Sequence, residues 1–238
     1  MGTEEKQVGS RFGHREWWLL IAAFLAAAAL WGFAELADEV REGDARDFDR
    51  TVLLSFRSAT DPQTPIGPGW LQEVARDVTG LGGTTVLTLF TVAAAGFLFL
   101  VRKRHAAVFL IVSVAGGTLL SLLLKWGFDR PRPDLVPHAV EVYTRSFPSG
   151  HAMLSTITYL TLGALLAQVQ SRKRVKAYLL GWALLLSFLI GLSRIYLGVH
   201  WPTDVLAGWC VGSAWALLCG SVALWLQRRG AIEPANDG

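Results

Sequence analysis

The stretch "LGGTTVLTLFTVAAAGFLFLV", Leu81 to Val101, contains no charged residue. It is about as long as a helix must be to cross a hydrocarbon layer, which takes roughly 17 to 25 residues. Five further runs of similar length and character occur: Trp17 to Ala34, Ala106 to Leu124, Ala152 to Gln170, Ala177 to Ser193 and Val205 to Gln227. A single such run could be a buried core helix, but six of them in 238 residues argue against a soluble protein. The mean hydropathy of +0.39, the ten tryptophans and a charged fraction of only 17% agree. The expected fold is all-α: a polytopic membrane protein with six transmembrane helices and short interfacial helices.

The first run is too long and lacks the small-residue cleavage site of a secretory signal, so a retained helix is expected. Basic residues gather in short clusters, at residues 102–105, 171–176 and 228–229, rather than in a stripe with interleaved aromatics. No nucleic-acid partner is expected. Six crossings with the N-terminus inside put all three clusters on the cytoplasmic side, as the positive-inside rule prefers. The sequence thus divides into a cytoplasmic tail (1–16), an extracytoplasmic amphipathic section (38–80) and a core (81–227). Residues Lys125 to Gly150 and Ser193 to Asp204 then share the outer face. Within the 38–80 section, Phe48, Val52 and Phe56 fall on one helical face, and Trp70, Leu71, Val74 and Val78 on another. Two short helices lying along the interface, linked by the turn-rich residues 60–69, are expected.

Three polar clusters meet on the outer face. In "KWGFDRPRP", Lys125 ends an apolar run, and prolines stiffen the segment carrying Arg130 and Arg132. These are ordinary interfacial cations or, given arginine's planar fork, a seat for phosphate oxygens. In "RSFPSGHAMLS", Ser149 fits a helix cap, with Gly150 and His151 in the first turn. Such a terminus suits an anion because free amides and the helix dipole both favour negative charge. A cap with an incidental histidine fits the same residues. In "SRIYLGVHWPTD", Arg194 closes an apolar run, and His200 has a carboxylate, Asp204, four residues on. That carboxylate could cap the last helix, or orient the imidazole with one ring nitrogen free for chemistry. Cys210 and Cys219 lie in one apolar run without metal-ligand spacing, and no carboxylate cluster points to a metal. Neither a metal nor another cofactor is expected. Fixed cations of this kind fit phosphoryl transfer.

Taken together, Lys125, six residues and Arg132-Pro133, then Pro148-Ser149-Gly150-His151, then Ser193-Arg194, five residues, His200, three residues and Asp204 resemble the three signatures of the type 2 phosphatidic acid phosphatase superfamily. The site of that family is similar to that of vanadium haloperoxidases. The resemblance is strong over 81–227 and departs from the signature nowhere. It implies that His200 is a nucleophile forming a phosphohistidine, that Asp204 orients it, and that His151 protonates the departing lipid oxygen. Lys125, Arg132, Arg194, Ser149 and the Gly150 amide would hold the phosphoryl oxygens. The expected activity is metal-independent dephosphorylation of a lipid phosphate or diphosphate, with membrane lipids as the surroundings. Phosphatidic acid, phosphatidylglycerophosphate and undecaprenyl diphosphate are the substrate candidates. The expected location is the inner (cytoplasmic) membrane, with the site on the extracytoplasmic side. The competing reading is a membrane protein that binds or transports lipid phosphate without turnover. Arg130 occupies no fixed position of the signature and is expected to assist binding less than Arg132.

Overall fold

The structure, a computed structural model, describes residues 14–138 and 144–228. Most of the expected N-terminal tail and Arg229 of the last basic pair lie outside these residues. Eight helices follow one another among the described residues. They are α1 (His14–Glu42), α2 (Arg46–Ser55), α3 (Gly69–Gly80), α4 (Thr84–Leu100), α5 (Arg104–Gly127), α6 (Gly150–Gln168), α7 (Lys173–Tyr196) and α8 (Pro202–Arg228). The chain is a polytopic helical membrane protein. Five helices (α1, α5, α6, α7 and α8) are long and apolar enough to span on their own. The sixth crossing is made differently from the expectation. Here α4 is only 17 residues long, and it joins α3 at a bend of 47°. The glycines of "TGLGG" explain the break, because glycine costs a helix interior about 1 kcal/mol relative to alanine.

The bundle is arranged around α6. Over half of its apolar window is buried (56%), against 6% for α1 at the periphery. Side chains such as Phe24, Trp31, Leu89, Leu122 and Trp126 are exposed on the outside, where lipid would cover them. Since lipid tails are as apolar as leucine, helices associate through close packing and buried hydrogen bonds rather than by escaping water. Gly208 and Gly212 supply the close packing. A Cβ at Gly208 would stand 2.7 Å from the Ser149 carbonyl oxygen, and one at Gly212 would stand 2.7 Å from that of Met153. This small-xxx-small spacing lets α8 lie directly on the start of α6. Indole N–H groups supply hydrogen bonds between helices, from Trp209 to the Ser187 carbonyl at 3.1 Å and from Trp215 to the Ser113 carbonyl at 2.8 Å.

The two amphipathic helices form where expected, as α2 and α3, and their apolar residues divide between outside and inside, with Phe56 (just after α2) and Leu71 packed against the core. Phe48, Trp70 and Val74 are exposed, whereas Asp49 and Leu53 of α2 and Ala75 and Thr79 of α3 are buried. Apolar periodicity finds residues that avoid water, and next to lipid these lie on either side. The inward side also has polar partners, which are described below.

Candidate active site

Three breaks in the helices converge at one end of the bundle. After α5 the chain runs through Phe128 to Pro133 without helical structure, as two prolines lacking N–H donors require. At the start of α6, Ser149 is the N-cap, its Oγ accepting from the Ala152 amide at 3.4 Å. At the end of α7, Gly198 has a φ of +74°, the left-handed region that glycine enters without a Cβ clash. That turn delivers His200 to a position just ahead of α8. Arg57 fixes the same corner by donating to the Tyr196 carbonyl at 3.0 Å.

His200 and Asp204 are in contact, as expected from their spacing. The Nδ1 of His200 stands 3.2 Å from Asp204 Oδ2, and both side chains are buried. The other ring nitrogen, Nε2, lies 3.2 Å from Arg132 Nη1. A guanidinium has only donors, so Nε2 accepts, and Nδ1–H donates to the carboxylate. This fixes the tautomer with the Nε2 lone pair pointing away from Asp204. Burial, and then the positive fields of Arg194, Arg132 and Lys125, hold the imidazole well below the usual histidine range, so the lone pair is retained.

Lys125, Arg132 and Arg194 come from three different segments and lie close enough to His200 for their fields to act on it. None of the three makes an ion pair among the described residues. Each is held instead by neutral acceptors. Lys125 Nζ donates to the Arg145 carbonyl at 2.8 Å. Arg132 donates to the carbonyls of Thr144 and Val199 at 2.7 and 2.6 Å. Arg194 donates from Nη1 to Thr79 Oγ1 at 3.0 Å, while its buried Nε has no hydrogen-bond partner. Three desolvated cations that none of the described carboxylates pairs directly are costly, and an anion placed among them would offset that cost.

Gly150 lies beneath the lysine: a Cβ there would stand 3.5 Å from Lys125 Cε. His151 is part-buried in the first turn of α6, within electrostatic reach of Arg194, His200, Arg132 and Lys125. Its ring flanks Gly82, where a Cβ would stand 3.4 Å from His151 Cδ2. All eight residues singled out from the sequence (Lys125, Arg132, Ser149, Gly150, His151, Arg194, His200 and Asp204) therefore belong to one end of the bundle. Ser149 caps α6 as its sequence context suggested, its Oγ accepting from the Ala152 amide.

Other polar residues at this end could not be read from the signatures. Asp204 accepts from Ser146 Oγ in a short hydrogen bond, from the Trp201 amide at 2.9 Å, and through Oδ1 from Arg130 Nη1 at 2.6 Å. Arg130 thus faces a carboxylate and not the cluster of cations, and its Nη2 lies 2.5 Å from Asp49 Oδ2. Asp49 Oδ1 in turn accepts the Thr203 amide at 2.9 Å. Asp49 lies on α2, outside the three polar clusters of the sequence, and only the tertiary structure reveals that it is buried. Among the described residues, no group of three His, Cys, Asp or Glu side chains is placed to hold a metal ion.

Comparison with known proteins places this geometry in a family. The sequence pattern of the PAP2 superfamily matches residues 106–228. Phosphatidylglycerophosphatase B of Bacillus subtilis is 34% identical over 146 residues, covering 60% of this chain and 70% of that protein. Undecaprenyl-diphosphatase of Sulfolobus acidocaldarius is 32% identical over 152 residues, covering 60% of this chain and 63% of that protein. The crystal structure of a transmembrane PAP2-type phosphatidylglycerolphosphate phosphatase from Bacillus subtilis superposes with a TM-score of 0.78 at 27% identity. It covers 86% of this chain and 98% of that one.

Proposed function

The chain belongs to the PAP2 superfamily of membrane lipid phosphatases, and from that premise we propose that it hydrolyses a lipid phosphate or diphosphate without a metal, through a phosphohistidine on His200. The observation that carries this reading is the convergence of Lys125, Arg132 and Arg194 on His200 with no ion pair among the described residues. Fixed donors aimed at the three peripheral oxygens stabilise the charge of a transferring phosphoryl group, which is most of the catalysis such a reaction needs.

The steps follow from the tautomer. As the phosphoryl group enters, Arg132 exchanges His200 Nε2 for a phosphoryl oxygen, which frees the lone pair. Nε2 attacks phosphorus, the bond from phosphorus to the lipid oxygen breaks, and His151, which takes up a proton when the anionic phosphoryl group sits among the cations, gives that proton to the lipid oxygen. Asp204 holds Nδ1–H and stabilises the positive charge that develops on the ring. Water then attacks the phosphohistidine, His151 takes the water's proton, and cleavage of the bond between Nε2 and phosphorus releases inorganic phosphate. With a diphosphate the leaving group is the lipid monophosphate, and nothing else changes.

The turns carrying Arg102 to His105 and Ser171 to Arg172 lie at the far ends of the helices that build this site. With those basic turns inside, the site faces the extracytoplasmic side of the cytoplasmic membrane. Phosphatidylglycerolphosphate is the first substrate to try, because both a relative 34% identical to this chain and the solved structure that covers 86% of it are named for that class. The test is phosphate release by purified protein from detergent-solubilised phosphatidylglycerolphosphate, phosphatidic acid and undecaprenyl diphosphate, with chelator present and His200→Ala alongside. Turnover of at least one lipid, lost in His200→Ala, is expected. No turnover on any, or turnover that chelator abolishes, contradicts the proposal.

A further inference from the structure

Asp49 lies on α2, outside the membrane-spanning helices and outside the signature segments, yet it is fully buried. Its two oxygens are engaged differently. Oδ1 accepts the Thr203 amide at 2.9 Å, which satisfies one free N–H at the start of α8. Oδ2 accepts from Thr203 Oγ1 at 2.8 Å and from Arg130 Nη2 at 2.5 Å. The other arm of Arg130 donates to Thr203 Oγ1 at 2.8 Å and to Asp204 Oδ1 at 2.6 Å. A continuous chain, Asp49 to Arg130 to Asp204 to His200 Nδ1, therefore runs from a peripheral helix to the imidazole.

The charges along it decide what Asp49 does. Arg130 is shared between two carboxylates. Without Asp49 the guanidinium would pair with Asp204 alone and draw charge away from the oxygen that His200 needs. Shared, the group of Asp49, Arg130 and Asp204 keeps one net negative charge beside the imidazole. That charge opposes the positive charge the ring acquires when it is phosphorylated. The geometry is also fixed: an arginine held at both arms cannot swing towards the neighbouring cavity of about 490 Å³, which Arg130 and Asp49 both line.

We propose that Asp49 is a positioning residue for the phosphatase reaction, acting through Arg130 to set the orientation and charge of Asp204. This rests on the phosphohistidine reading above. Asparagine is the informative substitution, because its amide oxygen still accepts the Thr203 N–H and so preserves the cap while the charge is removed.

The experiment compares wild type, Asp49→Asn, Arg130→Gln and the double variant in steady-state lipid hydrolysis, with His200→Ala in the same assay. For Asp49→Asn, kcat should fall by about tenfold to a hundredfold, the scale of a small misplacement at a reacting group, with KM within about threefold. The double variant should lose no more than Arg130→Gln alone, since Asp49 acts through that residue. Wild-type kcat with a lowered melting temperature would make Asp49 a structural cap only and overturn the proposal, as would losses that multiply in the double variant. If His200→Ala also turns over lipid normally, the phosphohistidine reading falls rather than this one alone. Should Asp49→Asn fail to fold in detergent, Arg130→Gln alone interrupts the same chain at its middle. There a kcat loss at constant KM is expected, and an unchanged kcat overturns the proposal.

Discussion

Arg130 Nη1 lies 2.6 Å from Asp204 Oδ1, the carboxylate oxygen that His200 does not use. Two arginines separated by one proline thus have different tasks. Arg132 meets the free ring nitrogen of His200 at 3.2 Å, and Arg130 meets the carboxylate that pairs with His200. Lysine at each position separates them, because it keeps the charge but loses the fork. Arg132→Lys should raise KM and lower kcat together, whereas Arg130→Lys should lower kcat with KM near wild type. The Arg132 loss should be the larger, about a hundredfold if one oxyanion donor is lost. Steady-state kinetics on one lipid substrate checks the split, and an equal rise of KM in both variants would count against it.

The proton donor can be tested through the leaving group. His151 shares the polar end with the cations and, among the described residues, makes no hydrogen bond that would commit its ring elsewhere. His151→Ala should cost much more on an ordinary lipid alcohol than on an activated phenol, which departs without a proton. Equal losses on the two substrates would argue against the acid role.

Acid should destabilise the fold through His200. Its folded-state affinity for a proton is depressed, by burial first and the three cations next, so the unfolded chain binds a proton that the folded chain refuses. The corresponding stability is complete above the ordinary histidine pKa of about 6.5 and is lost as pH falls below it. Between about pH 7.5 and pH 5, the melting temperature of wild type in detergent should drop more than that of His200→Gln. Parallel drops would show that His200 is not held neutral.

Close packing of α8 on α6 makes Gly208 sensitive. A methyl group there meets the Ser149 carbonyl oxygen at 2.7 Å and the Met153 amide at 3.2 Å, backbone atoms that cannot rotate away. Gly208→Ala should cost about 1 to 3 kcal/mol, the range for overpacking, and lower activity as well, because the displaced helices carry Ser149 and Asp204. Thermal unfolding in detergent and turnover should fall together. An unchanged melting temperature would mean the interface is looser than described.

The sequence revealed the fold and the reaction centre unequally. Six apolar runs anticipated the five helices that span on their own and the bent α3–α4 pair, because the length of a spanning helix is dictated by the bilayer. They misplaced the second crossing, which starts at Thr84 after the bend rather than at Leu81, because hydropathy does not register a glycine break. The signature residues converge because each sits at the end of an apolar run, where the chain must leave the membrane. Asp49, Ser146 and Thr203 were not legible. Their roles depend on partners up to 154 positions away, as in the bond from Thr203 to Asp49, and periodicity carries no such information. The same limit applies to α2: apolar spacing marks Phe48, Val52 and Phe56 as one face, and does not show that Asp49 is buried beside Leu53.

The most direct test of the phosphohistidine is to trap it. Purified protein would be mixed with lipid carrying a radiolabelled terminal phosphate, quenched in alkali within a single turnover, and digested. Label that is stable in base and labile in acid is expected on the peptide containing His200, absent from His200→Ala and longer-lived in His151→Ala. Label on another residue, or hydrolysis by His200→Ala at the wild-type rate, would contradict the phosphohistidine.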